Sequence, residues 1–279
     1  MFSGRGSACR RAKICAVVKL RRYGRSPYSV AVIHGGPGAP GEMAPVARRL
    51  AAGRGVLEPW QTEDTLGGQV EELKSVLEKH AEAPAILVGY SYGAMLGFIL
   101  AARHPRLVKK LVMVGSGVFE DAYARDIMQT RRDRLSAEAN AELDSLLSAL
   151  DNPDSPQDKD EAFARVGALL ATADEFDPLP HPDEVIACQH RIHDAVWPEV
   201  TALRSSGALL AYGRDIRCPV VAIHGDYDPH PAAGVREPLA RVLPNFRFIL
   251  LKDCGHTPWI ERRARDEFFR VLETELASP

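Results

Sequence analysis

The stretch Gly89-Tyr90-Ser91-Tyr92-Gly93 decides the fold class, because of what stands on either side of it. Before it lies the short apolar run AILV (85–88), and after it comes a nearly uninterrupted apolar run ending at Arg103. No charge occurs between Glu82 and Arg103, a length that could span a bilayer. The glycines and polar groups at its centre instead favour a buried strand, a sharp turn and a buried helix.

Further short apolar runs predict the other strands of a sheet. The predicted strands are Val30–His34, Ala85–Val88, Val108–Val114, Pro219–His224 and Phe246–Leu251, with two more at Ala16–Tyr23 (an edge) and Gly55–Gln61. Continuous apolar runs are typical of parallel strands that are covered on both faces. Because helical patterns lie between the strands, the sequence predicts an α/β fold with an open, mostly parallel sheet and helices on both faces.

The alternation of strands and helices stops between Phe119 and Arg214. This stretch is charged and helical in pattern, and it contains no run typical of a strand. We therefore expect a core formed by residues 1–118 and 215–279, interrupted by a helical insertion at 119–214. Met128, Phe176 and Trp197 in that insertion are candidates to line an acyl pocket.

The pentapeptide at 89–93 has the form Gly-x-Ser-x-Gly, which exposes a serine hydroxyl on a tight turn from strand to helix. A hydroxyl is a weak nucleophile unless it is exposed, oriented and placed beside a base. Glycines on both sides remove the Cβ atoms that such a turn would crowd. Ser91 is thus the candidate nucleophile.

A second glycine-rich loop, His34-Gly35-Gly36-Pro37-Gly38, follows the strand at 30–34. Here the main chain can approach a ligand and present its amides. We expect the amides of Gly36 and Tyr92 to form an oxyanion hole. His34 is expected to orient this loop rather than to act as a base.

The candidate base and its orienting acid follow the last two strands. His256 lies in CGHTP (254–258), and Asp228 lies in HGDYDP (224–229). Sites in open α/β sheets form beyond the carboxyl ends of the strands, and the order Ser, Asp, His is the one expected for this kind of triad. Asp226 is the rival acid; the position of Asp228 further out on the loop favours Asp228.

A metal site is a weaker interpretation of the same region. His224, His230 and Asp226 are potential ligands, but their spacing matches no known pattern, and we expect them to be surface residues of a loop. The sequence therefore predicts no metal and no other cofactor.

These motifs together resemble the α/β-hydrolase superfamily. The segments HGGPG (34–38), GYSYG (89–93), HGDYDPHP (224–231) and DCGHTPWIE (253–261) are similar to its oxyanion loop, nucleophile elbow, acid loop and histidine loop. The resemblance implies that 119–214 is a helical cap. HGGPG is similar to the proline iminopeptidase branch in particular, whose cap holds a substrate's free amine with acidic residues; Asp174, Glu175 and Glu184 are not matched to these. The elbow departs from that branch, which usually carries Gly-Gly-Ser-Trp-Gly.

The resulting hypothesis is a serine hydrolase that cleaves a small ester or amide through an acyl-enzyme. Three alternatives stay open: a proline iminopeptidase-like aminopeptidase that acts on short peptides, a C–C bond hydrolase, and a non-catalytic ligand-binding protein on the same scaffold. The residues that bind the substrate cannot be assigned from the sequence.

The composition of the chain gives no indication of nucleic acid or a membrane as a partner. The 279 residues include 35 basic and 37 acidic side chains, so no basic excess points to nucleic acid, and no membrane association is predicted. The basic residues before Glu42 are expected to form a solvated arm. Five scattered cysteines without a CxxC pair suggest reduced thiols in the cytoplasm; they are Cys9, Cys15, Cys188, Cys218 and Cys254.

Overall fold

The computed structural model describes residues 20–182 and 184–278. Within these residues, seven strands form one sheet. The strands are β1 (Leu20–Tyr23), β2 (Tyr28–Ile33), β3 (Gly55–Pro59), β4 (Ala85–Tyr90), β5 (Val108–Val114), β6 (Val220–Gly225) and β7 (Phe246–Leu251). Their order across the sheet is β1-β3-β2-β4-β5-β6-β7, and only β1 is antiparallel to its neighbour. The predicted α/β class with a mostly parallel sheet is confirmed.

Helices cover both faces of this sheet. The α-helices of the described residues are α1 (Ala44–Leu50), α2 (Leu66–His80), α3 (Tyr92–Arg103), α4 (Ile127–Arg134), α5 (Ala137–Asp151), α6 (Lys159–Asp174), α7 (His190–Ser205), α8 (Ala208–Ala211), α9 (Ala233–Val242) and α10 (Arg265–Ala277). Successive strand residues alternate between two hydrophobic clusters: Leu87 packs with α2 and α3, whereas Val88 packs with α1 and α10. Burial on both faces explains why the central strands are apolar without interruption.

The segment 119–214 contains helices and no strand among its described residues. Its first part, α5 and α6, has a small apolar cluster of its own that includes Leu143 and Val166. Its second part belongs to the main core, since Ile192, Val196 and Val200 of α7 pack in the cluster on one face of the sheet. The segment is therefore anchored at α7, and the α5–α6 lobe projects from it.

The basic N-terminal region differs in part from the expectation of a solvated arm. Arg21 and Arg22 lie on β1, and the Arg21 guanidinium lies 3.8 Å from the buried carboxylate of Glu58. Sheet pairing with β3 orders this stretch. The preceding basic residues, together with Cys9, Cys15 and residues 16–19 of the predicted edge strand, lie outside the described residues.

None of the described helices is both long and apolar enough to cross a bilayer. The uncharged stretch between Glu82 and Arg103 forms β4, a turn and α3, as the sequence predicted.

Candidate active site

The sharp turn between β4 and α3 projects the Ser91 side chain toward a cavity. Ser91 has φ +51°, a left-handed backbone conformation that costs energy for a residue with a Cβ atom. A Cβ atom on Gly89 would collide with the Gly93 carbonyl, and one on Gly93 would collide with the end of β2. The turn is therefore possible only with glycine at both positions, and it is held by a 2.9 Å hydrogen bond from the Ser91 amide to the Val114 carbonyl.

Three side chains predicted from distant parts of the sequence meet here. Ser91 Oγ lies 3.1 Å from His256 Nε2, and His256 Nδ1 lies 2.7 Å from Asp228 Oδ2. The carboxylate only accepts, so Nδ1 carries the proton and Nε2 is left as the acceptor of the serine hydroxyl. This is the arrangement in which an imidazole can take a proton from a hydroxyl.

The rival acid, Asp226, has a different contact. Its Oδ1 accepts a 3.2 Å hydrogen bond from the Cys254 amide, at the start of the loop that carries His256. Asp226 therefore ties the two loops together, and Asp228 is the acid that touches the imidazole.

The carboxylate of Asp228 is surrounded by histidines. Its Oδ1 accepts 2.9 and 2.8 Å hydrogen bonds from the backbone amide and the Nδ1 of His230, and its Oδ2 lies 3.5 Å from His224 Nε2. Burial by itself would raise the pKa of Asp228, but the attraction of His256, His224 and His230 is stronger and holds that pKa well below its usual value. Asp228 is thus held ionised. The expectation that His224 and His230 are surface residues is wrong: His224 is fully buried, and the side chain of His230 is 13% exposed.

The imidazole of His256 is buried between its acid and an aromatic ring. Burial lowers the pKa of His256, but the charge of Asp228 and the hydrogen bond to it outweigh this effect, so the pKa lies above the usual value of 6.5. The Tyr90 ring lies 5.0 Å from the imidazole, and the Tyr90 hydroxyl is 3.1 Å from Thr257 Oγ1. The second elbow tyrosine points the other way, since the Tyr92 hydroxyl donates to Gln69 Oε1 in the core.

The glycine-rich loop lies against the elbow. A Cβ atom on Gly35 would be 3.2 Å from that of Ser91. The Gly35 amide is engaged by Glu42 Oε2 at 3.0 Å. Among the described residues the amide of Gly36 donates no hydrogen bond, and the amide of Tyr92 stands at the first position of α3, where a helix offers no partner. These are the two amides that the sequence suggested as oxyanion donors.

His34 stabilises this loop through a hydrogen bond to its backbone. Its Nδ1 lies 2.8 Å from the Gly35 carbonyl, and burial lowers the pKa of His34 to about 4. It is a neutral structural residue, in agreement with the sequence.

One group of side chains in the described part of the chain has the spacing of metal ligands. Single donor atoms of Asp228, His230 and His256 lie within 4.8 Å of one another. Both imidazoles direct Nδ1 at the Asp228 carboxylate, so a cation would have to displace two N–H groups that already hydrogen-bond to it. The short distances are fully explained by hydrogen bonds.

Ser91 and His256 open into a cavity of about 560 Å³. Its opposite wall is formed by α6 and by the chain that follows it. The lining residues of this wall include Phe163, Ala164, Gly167, Ala168, Leu170, Ala171, Asp174, Glu175, His181, Glu184 and Val185. The expectation that Met128, Phe176 and Trp197 line the pocket is wrong: none of them lines it, and Trp197 instead packs against the main core.

Four acidic residues line the cavity, and none of them was identified as a site residue from the sequence; they are Glu42, Asp174, Glu175 and Glu184. Glu42 follows the glycine-rich loop, and Glu175 follows α6. Partial burial raises the pKa of Glu175 to about 7 against the opposing attraction of His181, with repulsion from Glu261 adding to the rise. No sequence signal marks Glu175, because its position depends on how the end of α6 crosses the histidine loop. Glu42 and His230 lie in or within a few residues of the motifs described above, and this proximity was the only sequence feature that could have marked them as site residues.

Known proteins are similar to this chain over most of its length. Residues 58–262 match the model of a family described as the alpha/beta hydrolase fold. A pimeloyl-[acyl-carrier protein] methyl ester esterase of Chromobacterium violaceum is 24% identical over 213 residues, which are 74% of this chain and 75% of the relative. Among solved structures, VinJ has a TM-score of 0.63 at 20% identity and covers 92% of this chain and 93% of its own.

A proline iminopeptidase of Mycobacterium smegmatis is also similar, with a TM-score of 0.58 at 20% identity, covering 92% of this chain and 93% of its own. At that identity the likeness concerns the fold, so it does not single out the iminopeptidase branch that HGGPG suggested. The family match spans most of the sheet together with the elbow, the acid loop and the histidine loop. The chain belongs to the alpha/beta hydrolase fold family.

Proposed function

We propose that this protein is a serine hydrolase that cleaves carboxylic esters through an acyl-enzyme. The observation that carries the proposal is the continuous line of hydrogen bonds from Ser91 Oγ through His256 to Asp228, at 3.1 and 2.7 Å. A buried aspartate and a buried histidine are costly to maintain unless they are paired, and here the pair ends at a serine that faces a cavity.

In the first half of the reaction, His256 Nε2 takes the proton of Ser91 as Oγ attacks the acyl carbon. Asp228 keeps the imidazole in the tautomer that accepts at Nε2 and stabilises the imidazolium that forms. His256 then gives the proton to the departing alcohol. Water repeats the sequence on the acyl-enzyme and releases the acid.

The negative charge that develops on the acyl oxygen would be bound by the amides of Gly36 and Tyr92. Removing one such donor typically costs about 3 kcal/mol of transition-state stabilisation. The first turn of α3 adds the positive end of its dipole at the same place.

The substrate is proposed to be an ester because the curated relative carries a methyl ester esterase name. The segment 119–214 acts as a cap in this proposal, since α6 forms the wall opposite Ser91. The free thiols of Cys218 and Cys254 suit the reducing cytoplasm, which is the proposed location.

An aminopeptidase is the second candidate, and one observation favours it. Glu42 and Glu175 both line the cavity, so an ammonium group of a substrate would meet two carboxyl groups there, and Glu175 is ionised above its pKa of about 7. Proline β-naphthylamide and its N-acylated form distinguish the two functions. Hydrolysis of the free amine alone would favour the aminopeptidase, and equal handling or no hydrolysis of both would remove it.

The test of the main proposal is labelling by a fluorophosphonate probe together with hydrolysis of p-nitrophenyl acetate. We expect the folded protein to be labelled and Ser91→Ala to lose both the label and the activity. Ser116→Ala is the matched control, because Ser116 is a buried serine at the end of the neighbouring strand, with its hydroxyl bonded to the Gly117 carbonyl at 3.0 Å. Absence of labelling in the folded protein would favour a non-catalytic binding protein instead.

A further inference from the structure

The junction between α6 and the histidine loop is built around one buried carboxylate. Glu261 has no exposed surface. Its Oε1 accepts hydrogen bonds from the amides of Phe176 at 2.7 Å and Gly255 at 2.8 Å, and its Oε2 accepts from the amide of Asp177 at 2.8 Å. One side chain therefore binds the chain after α6 and the residue that directly precedes His256.

Main-chain hydrogen bonds extend this junction on both sides. The Leu179 amide donates to the Ile260 carbonyl at 2.7 Å, and the Arg262 amide donates to the Asp177 carbonyl at 2.9 Å. On the other side, the amide of His256 itself donates to the Asp174 carbonyl at 2.8 Å. The position of His256 is thus set by the end of α6 as well as by its own loop.

The fit is too close for any residue larger than glycine at position 255. A Cβ atom there would collide with the Asp174 carbonyl and with Glu261 Oε1. The Asp174 side chain, in turn, is held by Arg131 through two hydrogen bonds of 2.7 and 2.6 Å. The support of the histidine loop therefore runs through residues far from it in the sequence.

Glu261 is not a member of the candidate triad, since it touches neither Ser91 nor Asp228 in the contacts described above. An apolar side chain of similar size would fill this place but would accept no hydrogen bond from the three amides. A carboxylate that accepts three amides is suited to fix the relative position of two backbone segments, because each amide would otherwise be buried without a partner.

We propose that Glu261 is a positioning residue, whose carboxylate locks the end of α6 to the histidine loop and thereby holds the His256 imidazole between Ser91 and Asp228. The inference rests on the proposed function, since the benefit lies in the reach of His256 to Ser91.

The experiment replaces the carboxylate by its closest isostere, Glu261→Gln. The amide offers one accepting oxygen instead of two and brings an NH₂ group against buried N–H donors. Displacement of a catalytic group by about 1 Å can lower the rate about 100-fold, so we expect kcat per active site to fall about 10- to 100-fold while KM stays within about twofold. Active sites are counted by titration with the fluorophosphonate probe, so that unfolded molecules do not enter kcat.

Glu58→Gln is the matched control. Glu58 is also a fully buried carboxylate, but it accepts from the Tyr23 hydroxyl at 2.6 Å near the opposite edge of the sheet. We expect it to lower the midpoint of thermal unfolding and to leave kcat per titrated site unchanged. If the glutamine variant does not fold, Glu261→Asp replaces it, since it keeps the carboxyl group and loses one methylene of reach; its kcat per titrated site should fall below that of the wild type while KM stays within about twofold.

An unchanged kcat per titrated site in every Glu261 variant that folds, with only the unfolding midpoint lowered, would reduce Glu261 to a structural residue and overturn the proposal. That result is distinct from failure of the proposed function, which would appear as absence of labelling and turnover in the unmodified protein.

Discussion

The two sides of the cavity are built in different ways. One side, which we term the floor, consists of the loops 34–38, 89–93, 226–230 and 254–257 at the carboxyl edge of the sheet. The other side, the roof, consists of the lining residues between 163 and 188. In the floor, short hydrogen bonds hold Asp228, His230 and His256 together, and glycines stand where no Cβ atom fits. In the roof, Ala164, Gly167 and Ala168 face open space along α6.

This difference suggests that the two sides have different roles. The floor is tightly packed, which suits groups that must meet a reacting atom within a few tenths of an ångström. The roof leaves unfilled space beside α6, which suits the selection of a substrate. Variants of the floor should therefore alter kcat for every ester, and variants of the roof should alter the preference among esters.

The largest effect is expected from Asp228→Asn. The asparagine amide favours the wrong tautomer of His256, so kcat should fall about 10⁴-fold for short and long esters alike. Asp226→Asn is the control, because Asp226 bonds the Cys254 amide and not the imidazole. Steady-state kinetics on p-nitrophenyl esters measures both. Equal losses in the two variants would contradict the assignment of the acid.

His230→Ala should have the next largest effect. It removes the 2.8 Å hydrogen bond to Asp228 Oδ1, and hydrogen bonds to charged groups are worth about 1.5–3 kcal/mol. We expect kcat to fall about tenfold for every ester. His80→Ala, at the end of α2, is the control and should leave kcat unchanged. A change confined to long esters would assign His230 to the roof rather than to the floor.

Gly167→Leu tests the roof. A Cβ atom on Gly167 meets no atom within 4 Å, so leucine would extend into the cavity and leave the helix intact. Crowding should cost at least about 1 kcal/mol, so the ratio of kcat/KM for octanoate over acetate esters should fall about fivefold. Leucine favours a helix over glycine by roughly 1 kcal/mol, so loss of stability would not explain the change.

The exposed residue Ala141 on α5 provides the matched control, as Ala141→Leu adds similar bulk away from the lining residues. An equal loss on both esters in Gly167→Leu would contradict the division between floor and roof.

The smallest expected effect on turnover concerns its pH dependence. Because Asp228 stabilises the imidazolium, the proton leaves His256 above the usual pKa of 6.5, and kcat/KM should rise with pH through a midpoint above that value. The midpoint should be the same for acetate and octanoate esters. Glu175→Gln removes a negative charge from the roof near the imidazolium and should lower the midpoint by a fraction of a pH unit. A midpoint that depends on acyl length would show that the roof controls this ionisation.

Glu175 also has a consequence for stability. Its pKa in the folded state, about 7, lies above the ordinary 4.5, so its contribution is fully present below pH 4.5 and is lost as the pH rises through 7. Glu175→Gln should therefore raise the unfolding midpoint relative to wild type more at pH 8 than at pH 5. Scanning calorimetry at the two values measures this difference.

The elements of the floor could be predicted because each depends on local chemistry. The apolar run at 85–88, the flanking glycines and the position after a strand are enough to locate Ser91 and to expect His256 and Asp228 at the same edge. Roof residues could not be predicted in this way. Helices of the segment 119–214 carry apolar residues on several faces, and periodicity does not tell whether Trp197 faces the core or the cavity.

What the sequence by itself determined was the chain order of strands and helices, the elbow, the candidates Ser91 and His256, and the loop that carries the candidate acid, because backbone sterics and the common edge of parallel strands are local or topological constraints. Only the tertiary structure decided that Asp228 rather than Asp226 reaches the imidazole, that His230 shares its carboxylate, and that Glu261 joins α6 to the histidine loop. These contacts depend on differences of a few ångströms between segments that are distant in the chain, and such distances are set by the packing of the whole molecule.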